Sequence, residues 1–347
     1  MNYRCYRMNI IDLAQNILSY YNKGKTELDL DKDVILFLVD GLSIEQAKKI
    51  KKDFQTIETL NIPSTAPVIT SLNLIKYPGD HGIYAWYSYS EIFKEVIAPV
   101  AYVSSLGPIN TKKHLILEGF ETIYQKIDAE SYVFIPKEYS NSLYSQYVYY
   151  GAQRVGYLSL SEVIVSIRKI TRKKGKKFIF IYYPKLDSLN HLYGPNSKQS
   201  IEEIKFLKYF INRLKKFKYN LIVTADHGFI ELDTKKRIPI EVFKELDIEF
   251  VAGEQRNLFV KPKEDPNTIY EIFEKLKNEL ELDIVIEQLN KKAIKRLLGS
   301  YSDRVKHLID SIFIQFKDNG FIDRGYNFLG DHGGASNIER KIPLIIY

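Results

Sequence analysis

Three apolar runs in this sequence each lead into a carboxylate. VILFLVD reaches Asp40, FIFIYYPKLD reaches Asp187, and LIVTAD reaches Asp226, with His227 next to it. Asp187 and His191 are four residues apart, which puts them on one face of a helical turn at the spacing of metal ligands. Gly194 and Pro195 then end that turn. Four of the six histidines lie in polar, glycine-bearing turns: Asp80–Gly82 (DHG), Asp187–His191, Asp226–Gly228 (DHG) and Asp331–Gly333 (DHG). This recurrence of Asp, His and Gly suits a hard-to-borderline divalent cation held by carboxylate and imidazole. His114 and His307 sit among lysines and read as exposed or helix-face residues.

A hydroxyl completes the inventory. In NIPSTAPVITSL (Asn61–Leu72), Ser64 and Thr65 precede Pro67 and an apolar run, the pattern of a helix start. Either hydroxyl serves as a plain cap or as a nucleophile, and the local residues do not choose between them. The two roles are compatible, because a helix N-terminus offers N–H groups and a positive dipole end to phosphoryl oxygens. Threonine is a weak nucleophile at neutral pH, and metal coordination is one of the few ways to activate it.

The elements that must position these groups follow from the apolar pattern. Residues 33–39, 177–183 and 219–224 are short continuous apolar runs, as expected of parallel strands buried on both faces. Helix-like segments at 158–172 and 200–216 precede the latter two, which predicts βαβ units and an α/β fold with a doubly wound sheet. Ligand sites of such sheets lie at the carboxyl ends of the strands, where the three acids fall. Residues 248–251 and 258–261 read as further strands, 266–280 and 291–299 as helices, and 342–347 as a last strand. The expectation is a single domain over 1–347, with lid or surface elaborations around 127–157 and 238–320. The aromatic stretch Ser140–Tyr150 is a candidate pocket edge, with packing as its alternative.

Composition bounds the function. Apolar residues make up 45% of the 347 and charged residues 27%, ordinary globular usage. The net charge of +7 is compatible with anionic substrates, and the basic run RKKGKK (Arg172–Lys177) reads as a solvated loop, so no nucleic-acid partner is expected. Cys5 is the one cysteine, which excludes an intrachain disulfide. The first fifteen residues are too polar for a signal peptide and no apolar run approaches a membrane span, so a soluble cytoplasmic protein without a membrane partner is expected.

Taken together, LVDGL (38–42), PSTAPVITSL (63–72), YPGDHGI (77–83), LDSLNHLYGPNS (186–197), TADHGF (224–229) and GDHGGAS (330–336) resemble the alkaline phosphatase superfamily. The likeness is to its type I phosphodiesterase and nucleotide pyrophosphatase branch. The resemblance implies an alkaline phosphatase-like fold, a largely parallel central sheet with helices on both faces. It also implies two divalent metal ions, zinc being the family expectation, with Mn²⁺ or Fe accepted by the same donors. One ion would be held by Asp40, Thr65, Asp226 and His227, the other by Asp187, His191 and His332. Family spacing selects Thr65 over Ser64 as nucleophile, and His81 falls where the family has a structural residue.

The implied activity is hydrolysis of phosphate diester or pyrophosphate bonds, in a small-molecule phosphate ester or nucleotide, through a covalent phospho-threonine. Two departures stand out. Val68 occupies the position of a family asparagine that binds a phosphoryl oxygen, and TSL runs into Asn73–Lys76 where the family has TG. Asn73 is a candidate substitute donor; Tyr84 and Trp86, in IYAWY, are candidates to stack a flat group, with core packing as the alternative. A phosphomonoesterase or phosphonate-bond hydrolase on the same site is the rival within enzymes, and an inactive metal- or nucleic-acid-binding scaffold the rival outside them. No arginine falls inside the matched motifs, which favours diesters over monoesters.

Overall fold

The computed structural model of the chain describes residues 8–347; Cys5 lies outside them. A seven-stranded sheet forms the centre, in the order Gln55–Glu58, Lys341–Ile346, Asn220–Thr224, Val34–Val39, Lys177–Tyr183, Glu130–Pro136, Gln153–Tyr157. Val34–Val39 runs parallel to both of its neighbours, and only the pairings of Lys341–Ile346 are antiparallel. All six residues of VILFLV are buried, as a strand covered on both faces requires.

Two groups of helices supply that cover. Ile10–Lys23 packs with Thr65–Leu74, while Lys198–Leu214 packs with Ile44–Ile50, Leu160–Ile170 and Lys185–Tyr193. Ile10–Lys23 shows why such segments are helical: a capping box at Asn9 and Asp12 satisfies its first N–H groups, and Gly24 closes it in the left-handed region. Its Ile10, Leu13, Ala14 and Ile17 form the buried stripe. Thr65–Leu74 has no exposed face, all ten of its residues being buried.

Register decides where the acids go. Val39 lies beside Tyr183, and Leu38 beside Thr224, so the three strands end level and Asp40, Asp187 and Asp226 leave from the same edge.

Residues 127–157 correct the expectation of a lid there. They contribute Glu130–Pro136 and Gln153–Tyr157 to the central sheet, and the Leu143–Val148 helix between them packs inward, with Tyr144 hydrogen-bonded to Thr70 at 2.8 Å. Of the four tyrosines in Ser140–Tyr150, Tyr144 and Tyr149 are buried in the core and Tyr150 is exposed, and none lines the cleft described below.

The 238–320 region builds a second sheet, four antiparallel strands in the order Ile248–Gly253, Asn257–Pro262, Ile312–Phe316, Ile284–Gln288. Strand alternation splits its side chains between two clusters. Leu258, Val260, Ile312, Ile314 and Phe316 face Phe273 of the Asn267–Glu279 helix, whereas Phe259 and Phe313 face Tyr84, Ile294 and Leu298. Among the described residues no helix is long and apolar enough to cross a membrane.

Candidate functional site

At the carboxyl edge of the central sheet the acids and imidazoles gather into two clusters. Asp40, Asp226 and His227 form one and Asp187, His191 and His332 the other, each with a set of ligand atoms mutually within 4.8 Å. In the first, His227 Nε2 lies 3.3 Å from Asp40 Oδ1 and 3.4 Å from Asp226 Oδ2. In the second, Asp187 Oδ1 lies 3.4 Å from His191 Nε2 and 3.7 Å from His332 Nε2. The rings of His227 and His332 stack at 3.6 Å, so the clusters adjoin.

The backbone aims the imidazoles. Nδ1 of His191, His227 and His332 lies 3.0, 3.1 and 3.0 Å from the carbonyls of Gly330, Gly228 and Pro63. A carbonyl only accepts, so each Nδ1 carries the proton and each Nε2 turns an unprotonated lone pair inward. The carboxylates are aimed likewise. Asp226 Oδ1 accepts from the N–H groups of Gly41 and His227, and Asp40 Oδ2 from the Tyr182 hydroxyl. Gly41 adopts φ 70°, and a Cβ there would meet Phe229 at 3.0 Å and the Asp187 backbone at 3.2 Å, which explains the glycine of LVDGL.

Each cluster keeps a buried carboxylate oxygen without a hydrogen-bond partner, Asp226 Oδ2 in one and Asp187 Oδ1 in the other. Burial pushes the Asp40 carboxyl up to about 8, with the charge of Asp187 adding to it. Burial likewise holds Asp187 and Asp226 well above the usual carboxylate range, reinforced by Asp226 and Asp331 on the former and Asp40 on the latter. The same burial lowers His227 and His332. Crowded carboxylates, orphaned oxygens and inward Nε2 atoms are a donor set that fits a divalent cation in each cluster.

This arrangement makes metal-free stability pH-dependent. Above about pH 7.5 the buried His227 and His332, lowered by that burial, are neutral in the folded chain, and an unfolded histidine is largely neutral as well. The folded Asp40 carboxyl still holds its proton up to about 8, whereas the unfolded one lost it near 4. The folded state then binds more protons, so stability falls as pH rises. Chelator-treated protein is expected to lose on the order of a few kcal/mol between about pH 7.5 and 9, seen as a falling Tm. Protein loaded with Zn²⁺ or Mn²⁺ is expected to hold its Tm over that range; a flat Tm in the metal-free protein would contradict the argument.

Thr65 opens the Thr65–Leu74 helix, with Ser64 as its N-cap. Its Oγ1 lies 3.1 Å from His227 Nε2 and 3.4 Å from Asp40 Oδ1, and the residue lines a cleft of about 310 Å³ together with Asp187, His191 and His332. Ser64 is fully buried, makes no side-chain cap bond and does not line the cleft. His81 stands outside both clusters, its Nε2 2.9 Å from Ser71 Oγ.

The candidate substrate contacts divide. Trp86 lines the cleft. Asn73 does not: it is buried, donates to the Ile69 carbonyl at 2.8 Å and accepts from the Tyr124 hydroxyl, so it cannot replace the oxyanion donor absent at Val68. Tyr84 is core. Its ring packs 4.8 Å from that of Phe259, and its oxygen accepts from the Tyr89 N–H. His114 is buried rather than exposed, and His307, on the short helix Asp303–Leu308, has its side chain largely covered. His114 bonds the Pro99 carbonyl, and His307 sits among Tyr84, Tyr89 and Phe250.

Other cleft residues escape the sequence motifs. Glu254, buried and pushed up to about 7 by that burial, accepts from the Trp86 N–H and lies 3.9 Å from His332 Nδ1. Its one signal is the polar segment GEQRN between two apolar strands. Asp331, of the last DHG, lines the cleft outside both clusters, accepting from the His332 N–H and from Gln255, with Oδ1 3.6 Å from His191 Nδ1. Arg324 also lines the cleft. An arginine is therefore at the site although none falls inside the motifs, which removes the sequence argument against a more highly charged substrate.

The sequence matches the family model for type I phosphodiesterase / nucleotide pyrophosphatase over residues 34–309. The chain belongs to this family. His332 lies beyond the matched span and joins the site through the tertiary structure. No curated relative matches significantly. Among solved structures, murine ectonucleotide pyrophosphatase/phosphodiesterase 5, as an inactive threonine-to-alanine variant in complex with AMP, aligns with a TM-score of 0.64 at 17% identity, covering 90% of this chain and 87% of that one. The human counterpart gives 0.63 at 18% over the same shares. Phosphonoacetate hydrolase from Sinorhizobium meliloti, in complex with phosphonoformate, gives 0.64 at 14%, covering 93% and 92%. At these identities the likeness establishes the fold, an α/β domain of alkaline phosphatase type.

Proposed function

We propose that this member of the type I phosphodiesterase / nucleotide pyrophosphatase family is a two-metal hydrolase that cleaves phosphate diester or pyrophosphate bonds through a covalent phospho-threonine on Thr65. The observation that carries the reading is the Thr65 hydroxyl, set at a helix N-terminus within 3.1 Å of His227 and 3.4 Å of Asp40 and facing the cleft. Asp40, Asp226 and His227 with Thr65 would hold one divalent ion, zinc by family expectation, and Asp187, His191 and His332 a second. Such ions supply Lewis-acid charge for an in-line displacement at phosphorus.

The chain's own groups do the rest. Thr65 Oγ1 gives up its proton and forms the bond to phosphorus as the bond to the leaving oxygen breaks and that oxygen takes up a proton; water then adds to phosphorus, the Oγ1–P bond breaks, and the hydroxyl regains its proton. The N-terminus of the Thr65–Leu74 helix presents its positive dipole end to the equatorial oxygens. Trp86 offers a flat face to the departing portion. The threonine-to-alanine form of the murine relative, described as inactive and bound to AMP, supports both the nucleophile and a nucleotide substrate.

The test is hydrolysis by Zn²⁺- or Mn²⁺-reconstituted protein of a chromogenic diester, its monoester, phosphonoacetate and a panel of nucleotides. Diester or pyrophosphate cleavage that chelation abolishes is expected. Monoester or phosphonate preference would move the assignment to the rival hydrolases, and two bound metals without hydrolysis of any substrate would leave an inactive scaffold.

A further inference from the structure

Arg324 follows the short strand Phe321–Asp323 and is the one lysine or arginine lining the cleft among the described residues. Its Nε and Nη2 atoms are buried without a hydrogen-bond partner. These two nitrogens form the edge of a guanidinium that grips a carboxylate or phosphate with paired bonds. The same chain shows that edge filled: Arg256 donates from Nε and Nη2 to the two oxygens of Glu339, at 2.7 and 2.8 Å.

Among the described residues no carboxylate hydrogen-bonds to the Arg324 edge, although the charge of Glu254 acts on it from a distance. Asp323 pairs with Arg237 at 2.6 Å, and Glu254 accepts from the Trp86 backbone. The guanidinium instead lies over the Tyr87 ring, 5.4 Å from its centroid, and Tyr87 is held in turn by the Tyr326 hydroxyl at 2.9 Å. A desolvated cation with an unpaired fork is costly unless an anion completes it.

We infer that Arg324 is a specificity-determining residue that receives a second anionic group, phosphate or carboxylate, carried by the substrate beyond its scissile phosphoryl group. The inference rests on the proposed phosphoryl site and deepens it. Substrates with a charged group next to the cleaved bond are preferred over diesters with neutral leaving groups. The shared chemistry is a planar or tetrahedral oxyanion that takes two parallel N–H bonds.

The test is calorimetric binding to the full chain loaded with Zn²⁺ or Mn²⁺. Methylphosphonate offers one anionic group, methylenebisphosphonate adds a phosphate-like second, and phosphonoformate adds a carboxylate. One or both two-anion probes are expected to bind about 10- to 100-fold more tightly than methylphosphonate, the range of a charge-assisted bidentate bond. Which of the two gains identifies the phosphate or the carboxylate as the natural group.

Arg324→Gln is expected to collapse this advantage to within about threefold, and Arg324→Lys, which keeps the charge without the fork, to retain part of it. Because bisphosphonates also chelate metals, the comparison between wild type and variants at equal metal content isolates the arginine. An advantage that survives Arg324→Gln, or none in the wild type while methylphosphonate binds, overturns the inference and leaves the phosphoryl site standing. Failure of all three probes to bind the metal-loaded wild type overturns both.

Discussion

Thr65→Ala is expected to lower turnover of any accepted diester by at least about 10³-fold, with both metal ions still bound. Thr65 Oγ1 is the hydroxyl facing the cleft between Asp40 and His227, and its neighbour Ser64 is buried away from it. No adjacent group can take over, since Asp40, Asp226 and His227 converge as donors and the imidazole Nε2 atoms are turned toward the carboxylates. The second cluster does not include Thr65, and the first keeps its three other donors. Metal content measured beside kcat therefore separates loss of a nucleophile from loss of the site. Activity near that of the wild type, with metals bound, would remove Thr65 from the role.

Arg256→Leu is expected to destabilise the protein by about 3–5 kcal/mol, because it strands the fully buried carboxylate of Glu339. Beyond the paired bonds to Glu339, Arg256 donates to the carbonyls of Gly320 and Asp318. Glu339 also accepts from the Gly334 N–H and the Ser336 hydroxyl. The pair thus ties the second sheet to the 330–336 loop that carries His332. A Tm lowered on the order of 5 °C is expected for a chain of this length. Affinity for the ion that Asp187, His191 and His332 would hold should weaken more than that of the other cluster, which a metal titration would resolve. Arg256→Leu combined with Glu339→Leu should recover part of the loss, since the stranded charge is gone while the backbone carbonyls stay unpaired. A stable Arg256→Leu protein with unchanged metal binding would refute this account.

The central strands were legible because burial on both faces leaves a mark in each residue: VILFLV, KFIFIYY and NLIVT are apolar throughout and differ from the expected spans by at most a residue. Glu130–Pro136 and Gln153–Tyr157 were not legible as sheet. Arg154 and Gly156 break the apolar run in the edge strand, and the tyrosines between the two mimic a surface pocket. Asn73 and Tyr84 misled for a related reason: polar atoms on buried side chains read as ligand contacts until their internal partners, Ile69 and Tyr124 for one and Tyr89 for the other, are known. The lysines flanking His114 and His307 likewise suggested exposure, although neighbours in sequence point to different sides of a turn.

By itself the sequence determined the chemistry on offer: which acids close the apolar runs, which histidines stand in glycine turns, and that two neighbouring hydroxyls, Ser64 and Thr65, stand at a helix start. Those are local facts, written in residue type and spacing. Only the tertiary structure decided their company. The level ends of Val34–Val39, Lys177–Tyr183 and Asn220–Thr224 bring Asp40, Asp187 and Asp226 to one edge, while a turn of the second sheet delivers Glu254 and the segments after the short strands Phe321–Asp323 and Gly330–Asp331 deliver Arg324 and His332. Strand register and sheet packing are set by contacts between residues far apart in the chain, so the charge balance of the cleft cannot be read from any one stretch.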